Sequence, residues 1–285
     1  MFVLIGGTGQ VGSAAARALL AKGHKVTVIT RNRTHGAGLE AAGARVAEVD
    51  IRDVAALRAV LQTGRRAFLL NPPADPSDDT DREERRNVAA IIAALDGSGL
   101  EKVVAQSTYG AFQGTACGDL TVLHEMEARL SAQPIPVAIN RCGYYMSNWA
   151  AMADTVRHTG ILPSFFPADL ELPMVAPEDL GQAAAARLLS SCEDVGLCHV
   201  EGPERYTPRD VADTFAAALD RVVAVEEIPQ PALEATFRSF GFSKPAAASY
   251  ACMTRRLIDG QTKASTPPQR GRTSLAAYIR RLVAT

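Results

Sequence analysis

Short apolar runs alternate with longer amphipathic segments through the first half of the chain. The run at 26–30 is rich in β-branched residues and the run at 67–70 is continuously apolar, as in strands buried on both faces of a parallel sheet. The segments between the runs repeat their apolar positions at helical spacing. This pattern predicts strands at 2–5, 26–30, 45–49, 67–70, 102–106 and 137–140, and helices at 13–22, 54–62, 78–95 and 120–130.

The second half of the chain has a less regular pattern. A proline-rich stretch at 162–177 and a polar stretch at 262–272 indicate irregular structure. The segment 229–271 as a whole carries prolines and aromatic residues without a clear period. The remaining pattern predicts helices at 144–158, 179–190, 208–219 and 273–282, and strands at 199–200 and 222–228.

Repeated strand–helix units of this kind build a parallel sheet with right-handed crossovers. We therefore expect an α/β protein with a Rossmann-type, doubly wound parallel sheet and a smaller C-terminal α/β substrate lobe. The lobe is expected over the carboxyl edge of the strands, where such sheets bind ligands. The predicted division is a sheet domain at 1–143, to which 177–201 returns, and a lobe formed by 144–176 and 202–285.

The composition is that of an ordinary globular protein. The chain has 285 residues, of which 47% are hydrophobic and 21% charged, and its net charge is −1. Nothing in this balance favours a nucleic-acid or membrane surface, and no apolar stretch is long enough to span a bilayer. The first residues lack the basic start of a signal peptide. We expect a cytoplasmic monomer or homodimer with a small-molecule substrate.

The cysteines and histidines do not show the spacing of a metal site. An odd, scattered set of cysteines is typical of small buried side chains in a reducing compartment, rather than of disulfides or zinc ligands. The histidines outside the catalytic candidates are expected in loops or at the surface. We therefore expect no disulfide among Cys117, Cys142, Cys192, Cys198 and Cys252. We also expect no metal site from these cysteines or from His24, His35, His158 and His199.

A glycine-rich turn follows the first predicted strand directly. Residues 6–12 read Gly-Gly-Thr-Gly-Gln-Val-Gly and lead into a predicted helix. A strand, a glycine turn and a helix open a dinucleotide-binding unit, because glycines let the backbone approach the pyrophosphate and the helix N-terminus binds its charge. A structural turn without ligand is the alternative. The expected cofactor contacts are Gly6, Thr8, Gly9, Gln10, Val11 and Gly12.

The end of the second predicted strand distinguishes NAD from NADP. An acidic side chain about 20 residues after the glycines would bind the ribose hydroxyls of NAD. The sequence there reads Thr-Arg-Asn-Arg and has no acid. Arg31, with Arg33 as a second candidate, can bind a 2′-phosphate, which favours NADP(H) as the cofactor. Arginines of a solvated loop are the alternative interpretation.

The ends of the next strands supply further cofactor candidates. Asp50 and Ile51 follow the third strand and are placed to flank the adenine, although Asp50 can equally belong to a helix N-cap region. Asn71 and Pro72 follow the fourth strand, where they would touch the nicotinamide or its ribose. Ser107 directly follows the fifth strand, at the same edge of the sheet.

The commonest chemistry of short-chain dehydrogenases is not supported by the sequence. Their Tyr-x-x-x-Lys motif pairs a proton-donating tyrosine with a lysine four residues later. Gln113, Asn148 and Trp149 stand four residues after Tyr109, Tyr144 and Tyr145. Ordinary alcohol dehydrogenation and sugar-nucleotide epimerisation by that mechanism are therefore disfavoured.

Several of these segments resemble the NmrA-like family of atypical short-chain dehydrogenases. The resemblance is carried by the glycine turn, Arg31, Asn71-Pro72-Pro73 and residues 120–148. It is closest to the quinone and triphenylmethane reductases, whose His-x-x-x-Glu helix and Leu-Arg-Asn-x-x-Tyr segment lie beside the nicotinamide. Here Asn140 and Cys142 replace the usual residues, and Asn71-Pro72-Pro73 replaces a serine-rich loop. Isoflavone-reductase-like relatives have a lysine where this chain has His124.

The resemblance implies hydride transfer from NADPH to a quinone-like or other conjugated aromatic acceptor, without flavin. The same family contains NADP(H)-sensing regulatory proteins, and a reductase of a specialised biosynthetic metabolite is a third possibility. Resemblance therefore specifies the cofactor more closely than the activity.

Three side chains are candidates for stabilising the charge that develops on a reduced acceptor. His124 could act as the proton donor, oriented by Glu127 three residues later, or be a helix-surface histidine. Tyr109 follows the fifth strand and could donate to the acceptor, or be a turn tyrosine over the sheet. Tyr145, with Tyr144 and Trp149, could wall an aromatic pocket or belong to the core. Arg141 is expected in a structural ion pair.

Overall fold

The computed structural model describes residues 1–284. These residues form twelve strands. They are β1 (Phe2–Leu4), β2 (Val26–Thr30), β3 (Arg45–Glu48), β4 (Arg66–Leu69), β5 (Lys102–Thr108), β6 (Val137–Cys142), β7 (Tyr144–Tyr145), β8 (Ile161–Ser164), β9 (Met174–Val175), β10 (Gly196–Glu201), β11 (Ala224–Glu227) and β12 (Gln269–Arg270).

The α-helices of the described residues fall between these strands. They are α1 (Gln10–Ala21), α2 (Ala37–Glu40), α3 (Val54–Leu61), α4 (Thr80–Leu95), α5 (Asp119–Ser131), α6 (Ala153–Thr159), α7 (Pro177–Leu189), α8 (Pro208–Leu219), α9 (Leu233–Ser239), α10 (Lys244–Ile258) and α11 (Leu275–Val283). Short 3-10 helices occur at Arg33–Gly36, Met146–Met152 and Gln230–Ala232.

Eight strands form one sheet in the order β3-β2-β1-β4-β5-β6-β10-β12. Every pairing in this sheet is parallel, for example Val3 opposite Thr27 and Ala67 opposite Val103. The order reverses at β1 and β4, as it does in a doubly wound sheet. The predicted Rossmann-type α/β fold is confirmed.

Both faces of the sheet are covered by helices, which explains why its strands are apolar throughout. On one face α1 and α7 pack together over β1, β2 and β6, and on the other α3, α4 and α5 cover a second apolar cluster. Gly181 allows the close approach of α7 to α1, since a Cβ there would lie 2.4 Å from the Cβ of Ala14. The chain therefore returns to the sheet through α7 and β10.

A separate apolar cluster forms the lobe that follows β6. It includes Trp149, Phe166 and Phe215 and draws on α8, α11 and the paired strands β8 and β11. The boundary predicted at residue 143, with a second part from 202 onwards, stays a prediction, and β12 belongs to the central sheet rather than to the lobe.

Several element predictions for the second half were wrong. Residues 144–158 do not form one helix, because Tyr144–Tyr145 pairs with Met174–Val175 before a 3-10 helix and α6 follow. The stretch 162–177 contains β8 and β9, and 262–272 contains β12. These short strands are set by pairing with distant residues, which local periodicity does not report.

The stretch 229–271, for which the sequence predicted no regular element, contains a helical hairpin. Ser243 caps α10 by accepting a hydrogen bond from the Ala246 amide, and Pro245 lies in the first turn, where its missing N–H costs nothing. The hairpin of α9 and α10 has its own apolar cluster around Leu233 and Phe237.

The expectation that no cysteine is paired was also wrong. Cys117 and Cys252 form a disulfide across 135 residues, with their Cα atoms 5.2 Å apart. Their distance in the sequence hid the pairing, since only the fold brings α10 against the start of α5. The cysteines Cys142, Cys192 and Cys198 are free. Residues 1–284 contain no helix with the length and apolar character that a bilayer crossing requires.

Candidate functional site

The glycine turn has the geometry of a dinucleotide loop. Gly6 adopts a φ of +70°, which favours glycine. A Cβ on Gly12 would lie 2.1 Å from the Gly6 carbonyl oxygen, whereas a Cβ on Gly9 would meet nothing closer than that same oxygen at 3.4 Å. Gly12 is therefore needed by the turn itself, while Gly9 leaves open space in front of the helix.

The N-terminus of α1 is left without a side-chain cap. Gly9 is its N-cap and offers no acceptor, and Gly9 and Gln10 are exposed. Val11 is buried in the core, so only its backbone can reach a ligand. Unpaired amides with a positive helix end form an anion site, and they fit the pyrophosphate of a dinucleotide. Side chains cap other helices of the described range: Asp53, Asp79, Thr207, Ser243 and Ser274.

The two arginines after β2 differ in their partners. Arg33 forms an ion pair with Glu40 and donates to the Val46 carbonyl. Arg31 is exposed and makes neither a hydrogen bond nor an ion pair with any residue from 1 to 284. Arg31 is thus free to bind a 2′-phosphate, and Arg33 is held by the protein.

The adenine candidates after β3 have local roles as well. The Asp50 carboxylate accepts a hydrogen bond from the Arg52 amide at 3.0 Å. Ile51 is buried and packs in the apolar cluster beneath α3. Their contact with an adenine stays a prediction.

Asn71 has buried polar atoms that nothing in the protein satisfies. Both Nδ2 and Oδ1 of its side chain are buried and lack a hydrogen-bond partner among the described residues. Asn71 follows β4, next to β1 and the glycine turn, and the neighbouring Leu70 lies 3.0 Å from where a Gly6 Cβ would stand. An unsatisfied buried amide is costly, and a cofactor amide or ribose would supply the missing partners. The partly buried Pro72 follows directly and accepts from Asn87 through its carbonyl.

Ser107 is committed to a buried ion pair rather than to open space. Its hydroxyl donates to Glu127 Oε1, and Arg141 donates to both oxygens of the same carboxylate. The structural ion pair expected for Arg141 is confirmed. The proposed support of His124 by Glu127 was wrong, because these two partners occupy the Glu127 carboxylate.

Tyr109 belongs to a second buried network. Its hydroxyl donates to Glu201 Oε1 at 3.0 Å, and Arg205 and Arg270 donate to the same carboxylate. Burial and the Glu201 carboxylate raise the pKa of Tyr109 far above its ordinary value. The hydroxyl therefore already has a charged acceptor and does not point freely towards a substrate.

His199 lies beside Tyr109 and was wrongly expected at the surface. It is 1% exposed within β10, and its ring meets the Tyr109 ring edge-on at 4.9 Å between centroids. Burial and the nearby Arg141 lower the pKa of His199, so the neutral form is favoured.

Tyr145 is partly buried where the sheet meets the lobe. It packs on the cluster beneath α1 and α7, beside Cys142. Burial and the Cys142 thiol raise the pKa of Tyr145 well above its ordinary value, and burial raises the pKa of Cys142 to about 12. Tyr144 instead points into the lobe core, edge-on to Trp149 and Phe166.

His124 is partly buried on α5, away from the face that Val122, Met126 and Leu130 turn to the sheet. Within residues 1–284 it forms no hydrogen bond, and no hydrogen bond or ring contact joins it to Tyr109 or Tyr145. The structure thus leaves its imidazole unpartnered, and the catalytic role of the three candidates stays a prediction.

A pair of carboxyl groups near this edge was missed by the sequence analysis. Glu84 on α4 is buried, and burial together with the Asp119 carboxylate raises its pKa to about 8. Asp119 opens α5 and is exposed at the surface, and desolvation by the surrounding protein together with the Asp81 carboxylate raises its pKa. In the sequence, Glu84 is hidden among the charges that crowd the start of its helix.

The carboxyl edge of the sheet therefore carries an uncapped helix, a free arginine and an unsatisfied amide in one row. The NmrA-like family model matches residues 1–255. The chain belongs to the NmrA-like family. The resemblance inferred from the glycine turn, Arg31 and residues 120–148 is confirmed.

The relatives of this NmrA-like chain include reductases. An NAD(P)H azoreductase from Xenophilus azovorans is 23% identical over 224 residues, which span 78% of this chain and 75% of the relative. The NADPH-dependent quinone oxidoreductase QOR2 from Escherichia coli, complexed with NADPH, has a TM-score of 0.80 at 20% identity, covering 99% of this chain and 100% of that one. Triphenylmethane reductase from Citrobacter sp., complexed with NADP(H), has a TM-score of 0.77 at 15% identity, covering 93% and 92%.

Proposed function

We propose that this NmrA-like protein is an NADPH-dependent reductase that transfers hydride to a quinone-like or other conjugated aromatic acceptor without flavin. The observation that carries the proposal is the buried Asn71 amide, which has no partner in the protein. It lies at the strand end that adjoins the glycine turn, where a dinucleotide extended from α1 would bring its nicotinamide half.

The cofactor would be held by groups that the fold leaves free. The amides of the first turn of α1 would bind the pyrophosphate, and Arg31 the 2′-phosphate. Asn71 would orient the nicotinamide ribose or carboxamide, with Pro72 packed beside it. Positioning of this kind matters because hydride transfer needs the donor and acceptor carbons in contact and water excluded.

NADPH, when bound, supplies the hydride. The accepting oxygen or nitrogen then gains negative charge, which a nearby proton donor stabilises. Tyr145 and the unpartnered His124 are the candidate donors, while the Tyr109 hydroxyl is held by Glu201. The carboxyl pair of Glu84 and Asp119 retains a proton near neutral pH and can replenish the donor.

The choice of acceptor class is supported by the relatives. The relatives are named as an azoreductase, a quinone oxidoreductase and a triphenylmethane reductase, so their names refer to aromatic or quinoid compounds. Such acceptors take a hydride without a metal or flavin when the nicotinamide is stacked against them. We therefore place this chain with reductases of conjugated acceptors.

The proposal is tested by following NADPH oxidation with a panel of benzoquinone, naphthoquinone and an azo dye. We expect acceptor-dependent NADPH oxidation by protein whose absorbance spectrum contains no flavin. Asn71→Ala should slow turnover at least tenfold, while Asn32→Ala, which removes only a local cap at Thr34, should not. Tight NADPH binding without turnover on any acceptor would contradict the proposal and favour an NADP(H) sensor.

A further inference from the structure

One face of α10 is attached to the loop that joins β5 to α5. Ser249, Cys252, Met253 and Arg256 follow one another at the spacing that puts them on a single side of the helix. Cys252 is bonded to Cys117, which immediately precedes the N-cap of α5. The disulfide is therefore the covalent centre of a longer row of contacts.

Non-covalent contacts flank the disulfide on both sides. A Cβ on Gly118 would lie 2.6 Å from the Met253 Cε, so the loop backbone lies directly against α10. Further along the helix, the Arg256 guanidinium lies 3.6 Å from the centre of the Phe112 ring, within cation–π distance.

Asp81 completes the attachment from a third element, α4. Its carboxylate accepts hydrogen bonds from the amides of Ala116 and Gly118, at 3.1 and 2.8 Å, and from the Ser249 hydroxyl at 3.0 Å. The residues on both sides of Cys117 are thus held to the helix that carries Cys252.

The hairpin of α9 and α10 has its own apolar cluster, while Leu257 and Ile258 at the end of α10 pack on the lobe and Ser243 donates to the carbonyls of Pro76 and Asp78. Phe237 stacks on Phe165 at 4.6 Å between centroids and meets Phe242 and Tyr250. This cluster is separate from the core of the lobe and from both faces of the sheet. A unit with its own core can move as a body once the bonds to its neighbours are removed.

We propose that the Cys117–Cys252 disulfide is a redox latch, reduced by dithiols, that fixes the α9–α10 hairpin against the β5–α5 loop. The latch sits beside Asp119, the residue after Gly118, and burial together with the nearby Asp119 and Glu84 carboxyl groups raises the pKa of Tyr250 of α10. Reduction releases the hairpin from its place beside these two carboxyl groups. In a reducing compartment, disulfides of this kind are typically transient and redox-sensing.

The dithiol supplies both electrons that reduce the disulfide. One thiolate of the reductant attacks the sulfur of Cys252, which is partly exposed, and the Cys117 sulfur, which is buried, leaves as a thiolate that takes a proton. The second thiol of the reductant then displaces Cys252 from the mixed disulfide. Two electrons pass to the cysteines, and the reductant becomes a cyclic disulfide.

The first test counts thiols and measures cleavage of the hairpin. Protein purified without reductant should alkylate at three cysteines when denatured, and at all five after dithiothreitol. Limited proteolysis within 233–258 should be at least fivefold faster after reduction. Five reactive thiols before reduction, or equal cleavage rates in both states, would overturn the latch.

Two variants control this test. Cys252→Ser should show the fast cleavage without dithiothreitol, whereas Cys192→Ser, which removes a free exposed cysteine, should respond to dithiothreitol as the wild type does. If Cys252→Ser were cleaved quickly throughout the chain, this would indicate global unfolding rather than local release of the hairpin and would contradict the latch. These measurements need no turnover, so they stand if the proposed activity fails.

A kinetic consequence rests on the proposed function. Reduction should change the KM for the acceptor several-fold, because the hairpin lies beside Glu84 and Asp119, the carboxyl pair proposed to serve the proton donor, and should leave the KM for NADPH unchanged. Equal shifts in both constants would contradict a latch that acts on the acceptor alone.

Discussion

Arg31 and Arg33 are two residues apart, yet the structure leaves only one of them free. Arg33 is held by Glu40 and by the Val46 carbonyl, while Arg31 extends from the end of β2 without a partner among the described residues. A charge-assisted contact to phosphate is worth about 1.5–3 kcal/mol. The discrimination between NADPH and NADH is therefore expected to depend on a single guanidinium.

Replacement of Arg31 tests this dependence. Arg31→Ala should raise the Kd for NADPH by about 10–100-fold and leave the Kd for NADH unchanged, because NADH lacks the 2′-phosphate. Arg33→Ala is the matched control and should alter neither constant by more than about twofold. Fluorescence titration of the reduced cofactors measures both, and an unchanged preference in Arg31→Ala would show that another group binds the phosphate.

Glu84 makes stability depend on pH in a direction opposite to that of most carboxylates. Its pKa is raised from 4.5 to about 8 by burial and by Asp119, so the folded protein binds a proton that the unfolded chain has released. The stabilising contribution is complete below pH 4.5 and is lost as the pH rises towards 8.

Substitution by the neutral amide removes this dependence. Glu84→Gln should stabilise the protein by about 3–4 kcal/mol at pH 8 and by less than about 1 kcal/mol at pH 5. The amide oxygen can still accept from the Ala74 amide. Denaturant unfolding at the two pH values measures the difference, with the exposed Glu48→Gln as control. Equal effects of Glu84→Gln at both pH values would mean that Glu84 is ionised in the folded state.

At the scale of elements, two glycines of the same turn are expected to have different roles, Gly12 in folding and Gly9 in cofactor binding. A Cβ on Gly12 would collide with the Gly6 carbonyl inside the turn, whereas a Cβ on Gly9 would project into open space before α1. The two glycines are equivalent in the sequence motif, but only one is required by the protein alone.

Alanine at each position should therefore give different results. Gly12→Ala should lower the free energy of unfolding by more than about 2 kcal/mol through overpacking. Gly9→Ala should keep the melting temperature within about 2 °C and weaken NADPH binding at least tenfold, because the methyl group would occupy the phosphate position. Thermal unfolding and cofactor titration of the same preparations distinguish them. Normal NADPH binding by Gly9→Ala would place the phosphates elsewhere.

The difference between local patterns and long-range contacts explains which features the sequence could predict. The strands of the sheet were located because continuous apolar runs report burial on both faces, and Arg31 was singled out because it stands where NAD enzymes have an acid. The hairpin of α9 and α10 was missed because its apolar side faces its own small cluster. The Cys117–Cys252 bond depends on a contact between elements that are far apart in the chain, which no local pattern contains.

At the scale of the whole molecule, the sheet and the lobe are interleaved rather than successive. The chain leaves the sheet after β6, builds part of the lobe, returns for α7 and β10, and leaves again before β12 closes the sheet edge. Residues from both halves therefore lie close together, as Glu84, Asp119 and Tyr250 do. Under the proposed latch, the hairpin moves while the parallel sheet and the glycine turn stay in place.

The packing of α7 on α1 also determines when the apolar face of α1 is buried during synthesis of the chain. The apolar face of α1 is complete when residue 21 has been made, but the helix that covers it ends at residue 189. At roughly 5–20 residues per second, the ribosome leaves that face uncovered for roughly ten to thirty seconds. The growing chain thus exposes an aggregation-prone apolar surface throughout this interval. We expect the yield of folded protein in a cell to depend on how well nascent-chain chaperones cover this surface until α7 has been made.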